Sequence, residues 1–277
     1  MQTKRAEKYG FCFGVKRAIR LAEQHKNALS LGPLIHNQKE IDRLKRDFGV
    51  NVETNLDNVL RNNTLRDSSV IIRTHGIQKS DLKRLKNFRA HIIDATCPFV
   101  KKPQQICEEM SSQGYEIVIF GDENHPEVRG VASYCKEPFQ IVLNKEQLKK
   151  VGTKVALISQ TTRKISAFLE IANHLITICP EVRVFNTICN ATFDNQEAVK
   201  LLAQEVDILI VVGGKESSNT KQLLNISLEF CRDSYCIEDE NDLQCEWFAG
   251  KKLCGITAGA STPDWIIDNV ENAIQNF

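Results

Sequence analysis

The sequence predicts an α/β protein built from three similar units, each a small, mostly parallel sheet flanked by helices. Short β-branched runs alternate with amphipathic stretches along the whole chain, which is the pattern of strands and helices layered on one another. A cysteine stands shortly before a helix near each third of the chain, in GFCFGVKRAIRLAEQ, DATCPFVKKPQQICEEM and NTICNATFDNQEAVKLLA. Two polar strand-end loops then follow each of these cysteines. Self-similarity at this spacing reads as an internal repeat.

The first unit, residues 1–95, carries Cys12, a helix expected over 15–25, a loop LSLGPLIHNQ with His36, and a strand at 69–73 that ends in RTHG with His75. The second, 96–187, carries Cys97, a strand at 117–121 running into GDENHPEVRG with His125 and Glu127, a strand at 155–159 running into SQTT with Thr161, and a helix at 165–179. The third, 188–277, carries Cys189, a helix at 196–204 and a strand at 207–212 that opens into GGKESSN with Ser217, Ser218 and Asn219. A helix at 221–231, a strand at 252–257 followed by GASTPDW with Ser261, and a helix at 264–277 complete it. No low-complexity linker separates the units. In α/β sheets, ligands bind beyond the carboxyl ends of the strands, so each unit offers a cysteine and two polar loops at the edge where chemistry is done.

Bulk properties narrow the function classes. The chain has 277 residues, 42% hydrophobic and 26% charged, as in an ordinary globular protein. Lys plus Arg is 36 and Asp plus Glu 35, a net charge of +1 that gives no bulk attraction to nucleic acid or to an anionic membrane. Neither an apolar leader nor a run long enough for a membrane span is present, so the expected location is the cytoplasm. Ten cysteines in a reducing compartment are buried thiols, metal ligands or nucleophiles rather than disulfides. There is no C-x-x-C, which speaks against zinc-finger and thioredoxin-like readings.

Three thiolates around one site suit a soft metal centre. Two inorganic readings stand side by side: a [4Fe–4S] cluster with one iron left without a protein ligand, or zinc with water in its fourth position. The loops point to a phosphorylated substrate. Gly213 and Gly214 allow close backbone approach, and Ser217, Ser218 and Asn219 offer donors at a helix start, where an anion is favoured; the plainer role for Ser218 or Asn219 is a helix cap. GASTPDW repeats the device, with Thr262 expected as cap and Pro263 in the first turn. His36 and His75 sit at matched strand ends. His125 and Glu127 lie in a tight loop stiffened by Pro126 and bring acid–base capacity; a carboxyl closed in beside a diphosphate would hold its proton, whereas one on a surface loop would not. Thr161 is placed to hydrogen-bond a substrate hydroxyl or that carboxyl. G-x-x-x-x-G-K-[ST] is absent, so nucleoside triphosphate hydrolysis is not indicated.

Taken in order, GFCFGVKRAI, LGPLIHN, RTHGI, DATCP, GDENHPEVRG, SQTT, NTICNAT, QEAV, GGKESSNT and GASTPDW resemble the LytB family of 4-hydroxy-3-methylbut-2-enyl diphosphate reductases, over almost the entire chain. The resemblance implies a trefoil of three α/β units around a central [4Fe–4S] cluster, with Cys12, Cys97 and Cys189 each ligating one iron. It implies that His36, His75, His125, Ser217, Ser218, Asn219 and Ser261 hold a diphosphate. Glu127 is then the proton donor, with Thr161 in its hydrogen-bond relay. It further implies reductive removal of an allylic hydroxyl as water, the last step of the non-mevalonate route to isoprenoids, with electrons from an external one-electron carrier of ferredoxin or flavodoxin type. A zinc hydrolase on the same three cysteines and a non-catalytic iron–sulfur sensor are the rival readings. Asn195 stands where the family often has a basic residue, and Pro103 is expected to kink or delay the helix after Cys97. The other seven cysteines (Cys107, Cys135, Cys179, Cys231, Cys236, Cys245 and Cys254) match no motif and are expected to be buried thiols.

Overall fold

The computed structural model describes residues 1–61 and 69–277. The chain opens with β1 (Gln2–Arg5) and α1 (Phe13–Gln24). Next come β2 (Leu29–Leu31), α2 (Gln38–Phe48), β3 (Asn51–Glu53), α3 (Leu56–Arg61), β4 (Ser69–Ile72), α4 (Lys79–Asn87) and β5 (His91–Asp94). A second stretch holds α5 (Pro98–Ser112), β6 (Glu116–Phe120), α6 (Pro126–Ala132), β7 (Phe139–Val142), β8 (Lys154–Ser159), α7 (Ile165–Ile178) and β9 (Glu181–Val184). The third holds α8 (Asn190–Ala203), β10 (Ile208–Val212), α9 (Ser218–Phe230), β11 (Ser234–Ile237), β12 (Leu253–Ala258) and α10 (Asp264–Gln275).

Among the described residues these strands form three four-stranded sheets, ordered β3-β2-β4-β5, β7-β6-β8-β9 and β11-β10-β12-β1. All pairings are parallel. The α/β class with three similar sheets is therefore what the sequence implied. Counting β1 as the last strand of its sheet, each sheet has the same order, its first strand lying between its second and third. That order contains a reversal between first and third strands, the place where doubly wound sheets bind ligands. The amino-terminal strand β1 belongs to the third sheet, where it pairs with β12 from Gln2 against Leu253 to Arg5 against Ile256.

The central strands read as continuous hydrophobic runs because helices cover both faces of each sheet. Successive side chains of β10 go to opposite cores: Ile208, Ile210 and Val212 to one, Leu209 and Val211 to the other. β6 does the same, with Ile117 and Ile119 facing one cluster and Val118 and Phe120 the other.

By compactness the chain divides into two units, one of Met1–Lys16, Ile35–Arg43 and Asn190–Phe277, the other of Arg17–Leu34 and Leu44–Cys189. The first contains the β1-bearing sheet; the second contains the other two.

Pro103 does not delay its helix. α5 starts at Pro98, directly behind Cys97, and continues through Pro103 to Ser112. One lost backbone donor is tolerated because Ile106, Cys107 and Met110 on the same helix are buried against Val128 and Val131, and packing rather than propensity carries a protein helix. Asn195 is buried on α8. Of the seven cysteines expected to be buried, Cys107, Cys179, Cys231 and Cys254 are; Cys135 and Cys236 are half-buried, and Cys245 is exposed, in a one-turn 3-10 helix after β11 that buries only Phe248. No helix among the described residues is long and apolar enough to cross a membrane.

Candidate functional site

Each of Cys12, Cys97 and Cys189 immediately precedes a helix, and each donates its backbone N–H to the end of a neighbouring strand. Cys12 N–H donates to Ala260 O at 3.2 Å, Cys97 N–H to Thr74 O at 3.0 Å and Cys189 N–H to Thr161 O at 2.9 Å. The acceptor is in every case at the end of the third strand of a sheet, beside Ser261, beside His75, or Thr161 itself. The same device thus anchors all three thiols: an outer strand (β1, β5 or β9) runs parallel to its neighbour and is carried a few residues past the sheet. All three side chains are half-buried, and all ten cysteines of the chain are thiols rather than disulfides.

The second unit brings Cys97, Cys189, His75, His125, Glu127 and Thr161 into one compact body. His125 is the N-cap of α6 rather than part of an irregular loop, with Pro126 at the first helical position, where its missing N–H costs nothing. Its Nδ1 accepts the Glu127 N–H at 3.2 Å, so the neutral ring carries its proton on Nε2 and presents a donor. The His75 and His125 rings meet edge to face, 5.4 Å between centroids.

Glu127 is only 2% exposed. Its two carboxylate oxygens are gripped by one residue: Thr161 N–H donates to Oε1 and the Thr161 hydroxyl to Oε2, both at 2.7 Å. Burial pushes the carboxyl above its usual range, against the opposing pull of the Thr161 hydrogen bonds and the charge of Arg163. The reading of Glu127 as a surface carboxylate is thereby excluded. Arg163 is fixed by its Nε–H donating to Gln160 Oε1 at 3.2 Å.

The first unit holds Cys12, His36, Ser217, Ser218, Asn219 and Ser261. Ser217, not Ser218 or Asn219, caps α9, accepting the Thr220 N–H at 3.3 Å. Thr262 does not cap α10 either: its hydroxyl donates to Val212 O at 3.0 Å, tying the loop after β12 to β10, and Pro263 occupies the cap position. The Ser261 hydroxyl donates to His36 O at 3.1 Å. Gly214 lies so close to the same carbonyl that a Cβ there would come within 2.5 Å of it, so this position admits only glycine.

Among the described residues, Asn219, 4% exposed, finds no partner for either its amide nitrogen or its amide oxygen, and Thr220 Oγ1, Thr257 Oγ1 and Gln196 Nε2 in the same unit are likewise buried without one. Unpaired buried polar groups are costly and uncommon, and such a group is met by an ordered water, an ion or a ligand. The sequence assigned no role to Thr220, Thr257 or Gln196, although Thr220 ends the motif GGKESSNT and Gln196 opens QEAV.

Comparison with known proteins places these features in context. The LytB protein family matches residues 3–275. A 4-hydroxy-3-methylbut-2-enyl diphosphate reductase of Wolinella succinogenes is 60% identical over 279 residues, covering all of this chain and 99% of the relative. Those of Campylobacter curvus and Helicobacter pylori are each 58% identical over the full length of both chains. A solved structure of (E)-4-hydroxy-3-methyl-but-2-enyl diphosphate reductase, the terminal enzyme of the non-mevalonate pathway, is 40% identical, covers both chains completely and superposes with a TM-score of 0.72. The Plasmodium falciparum reductase structure is 25% identical with a TM-score of 0.91, covering 99% of this chain and 88% of that one.

Proposed function

This chain belongs to the LytB protein family, and on that premise we propose that it reduces 4-hydroxy-3-methylbut-2-enyl diphosphate to isopentenyl and dimethylallyl diphosphate. In the balanced reaction the C–O bond of the allylic hydroxyl breaks, two electrons and two protons are taken up, and water leaves. The electrons come from an external reductant; a ferredoxin- or flavodoxin-type carrier fits the one-electron steps.

The donor set suits a [4Fe–4S] cluster. Cys12, Cys97 and Cys189 are reduced, half-buried, identically anchored, and each at a helix N-terminus that favours negative charge. Held by those three thiolates, such a cluster would supply single electrons and Lewis acidity. The remaining work falls to the chain's own residues. Asn219 offers an unsatisfied buried amide, and Ser217 and Ser218 offer hydroxyls, to the diphosphate; the Ser261 hydroxyl, which donates to His36 O, would turn from that carbonyl to join them. His125 presents Nε2–H, with His75 against its ring. Mainly neutral donors bind the anion without adding charge to a chain whose net charge is +1. Remote binding of the diphosphate orients the reacting carbon and oxygen.

The observation that carries the chemistry is Glu127. A buried carboxyl whose hold on its proton is strengthened by desolvation, and which is hydrogen-bonded by Thr161, is suited to act as a general acid for hydroxide departure, since hydroxide is a poor leaving group until protonated. Anaerobic purification followed by iron and sulfide analysis and assay with the diphosphate substrate tests the whole reading. The expected result is about four iron and four sulfide per chain and turnover with a reduced one-electron donor. A zinc-loaded, iron-free protein that hydrolyses the substrate would overturn it. Replacing Cys12, Cys97 or Cys189 by Ser is expected to deplete iron, whereas Cys245→Ser leaves iron at the wild-type level; equal iron in all four removes the ligand assignment.

A further inference from the structure

Within the second unit a cleft of about 340 Å3 is lined by Arg73 and Arg129, together with Leu31, Leu56 and Ile77. Neither His75, His125, Glu127 nor Thr161 lines it, so it is not the candidate site described above.

Among the described residues, neither of the two guanidinium groups in this space is ion-paired with a carboxylate. Arg73 Nε–H donates to Gly76 O, at 3.4 Å. Arg129 donates to Glu123 O at 3.3 Å and to Asn124 Oδ1 at 3.2 Å, both neutral acceptors. The carboxylate that lines the cleft among the described residues, Asp81, lies 3.9 Å from Arg84 outside it. Burial, and after it the charge of Arg129, pull the Arg73 guanidinium below its ordinary value, the response of a cation short of counter-charge.

Arg73 is also pre-positioned. Gly32 (φ +81°) leaves the guanidinium room against the backbone, and a Cβ at that position would meet Arg73 Nη1 at 2.8 Å. A fixed, partly desolvated guanidinium fork is the group that recognises phosphate by paired hydrogen bonds. Aliphatic Leu31, Leu56 and Ile77 line the same cleft, beside polar Thr54 and Gln78, so it offers both cationic and apolar surface to one ligand.

We propose that this cleft is a second ligand site, separate from the reaction site, that takes a short-chain isoprenyl diphosphate with its headgroup between Arg73 and Arg129 and its tail on Leu31, Leu56 and Ile77. The choice of isoprenyl class rests on the reading under Proposed function; the anion site itself does not. Occupancy bears on catalysis because the same segments serve both places. Arg129 and Gly130 lie on α6, whose N-terminus carries His125 and Glu127, and Arg73 is two residues before His75. The ligand is of the product class, so the site is suited to feedback.

Calorimetric titration of the anaerobic holoprotein with dimethylallyl diphosphate, and separately with inorganic diphosphate, tests this. Two sites per chain are expected, with dimethylallyl diphosphate the tighter ligand at the cleft. Arg129 is exposed, so Arg129→Gln leaves the fold intact by circular dichroism and weakens the cleft site at least about tenfold; Arg73→Gln does the same. Asn219→Ala weakens the other site instead. Unchanged titrations in both arginine variants, or inorganic diphosphate binding the cleft as tightly as the prenyl ligand, overturn the proposal. Loss of one site in Arg129→Gln with no effect of Asn219→Ala leaves the cleft standing and counts against the diphosphate ligands assigned under Proposed function.

Discussion

Glu127 shows how one side chain's surroundings set its chemistry. Desolvation disfavours its charge, while two hydrogen bonds from Thr161 favour it, and burial wins. A carboxyl whose folded pKa is raised lends stability that is complete below its unfolded value, about 4.3, and that is lost as pH rises through the folded value. Glu127→Gln keeps the shape, can still accept the Thr161 N–H and has no proton to lose. It should therefore gain stability relative to wild type as pH rises from about 4.3 through the folded pKa, then hold a constant advantage. Turnover should fall about 10²–10⁴-fold while diphosphate affinity stays. Urea unfolding of both proteins across that pH range reads the first effect; a pH-independent difference would show that the buried carboxyl does not titrate as argued. Glu127, Thr161 and the three cysteines were visible as residue types in distinctive loops. Which hydroxyl caps α9 was not, since Ser217, Ser218 and Asn219 are chemically near-equivalent as caps and only backbone geometry selects Ser217.

At the scale of elements, the sites depend on strands that are extended past their sheets. Beyond β8 and β9 the ladder is continued by a side chain: Ser159 N–H donates to Thr187 Oγ1 at 2.8 Å, and the Thr187 hydroxyl donates to Ser159 O at 2.5 Å. Both residues are buried, two positions before Cys189 and two before Thr161. Thr187→Val preserves volume but strands both backbone groups of Ser159, at a cost of about 1–3 kcal/mol for each unsatisfied group. Denaturant unfolding should show that loss, together with reduced iron retention, because Cys189 is carried by the same segment. A variant as stable as wild type and with full iron would mean that water replaces the hydroxyl. Five inner strands were legible because both of their faces are buried and their runs are apolar: β4, β6, β8, β10 and β12 fall within a residue of the expected limits, whereas the three-residue inner strand β2 reads as part of a polar loop. The outer strands were not. β1 reads Gln-Thr-Lys-Arg, without one apolar side chain, and is a strand only because β12 offers it a parallel edge. For a related reason Pro103 does not delay α5, since local propensity there yielded to packing that local sequence does not reveal.

Across the whole molecule the repeat is regular once β1 is counted with the end of the chain. Each sheet then contributes a first strand leading to His36, His125 or Ser217 and a third leading to His75, Thr161 or Ser261. Each also contributes an outer strand leading to a cysteine. In two sheets that outer strand (β5, β9) follows its helix directly; in the third, the link between α10 and β1 is absent, and the two ends lie side by side. The Met1 ammonium donates to Gln275 O at 3.2 Å, and Arg5 Nε–H donates to Glu271 on α10 at 2.8 Å. What holds β1 is therefore pairing with β12 and ion pairing to α10, not its place at the start of the sequence. Joining residue 277 to residue 1 through a short Gly/Ser linker, and opening the chain between exposed Arg89 and Ala90, moves the break to the equivalent α4-to-β5 link. The new break releases the turn in which Ala90 N–H donates to Leu85 O at 3.3 Å. One or two backbone hydrogen bonds are worth about 0.5–1.5 kcal/mol each, so the permuted chain should melt only several degrees below the natural order. It should bind the same iron and unfold cooperatively. If it fails to fold while a linear control with the same linker at its C-terminus folds, then the order of synthesis of β1 matters, and the three sheets are not interchangeable in the way their strand order implies.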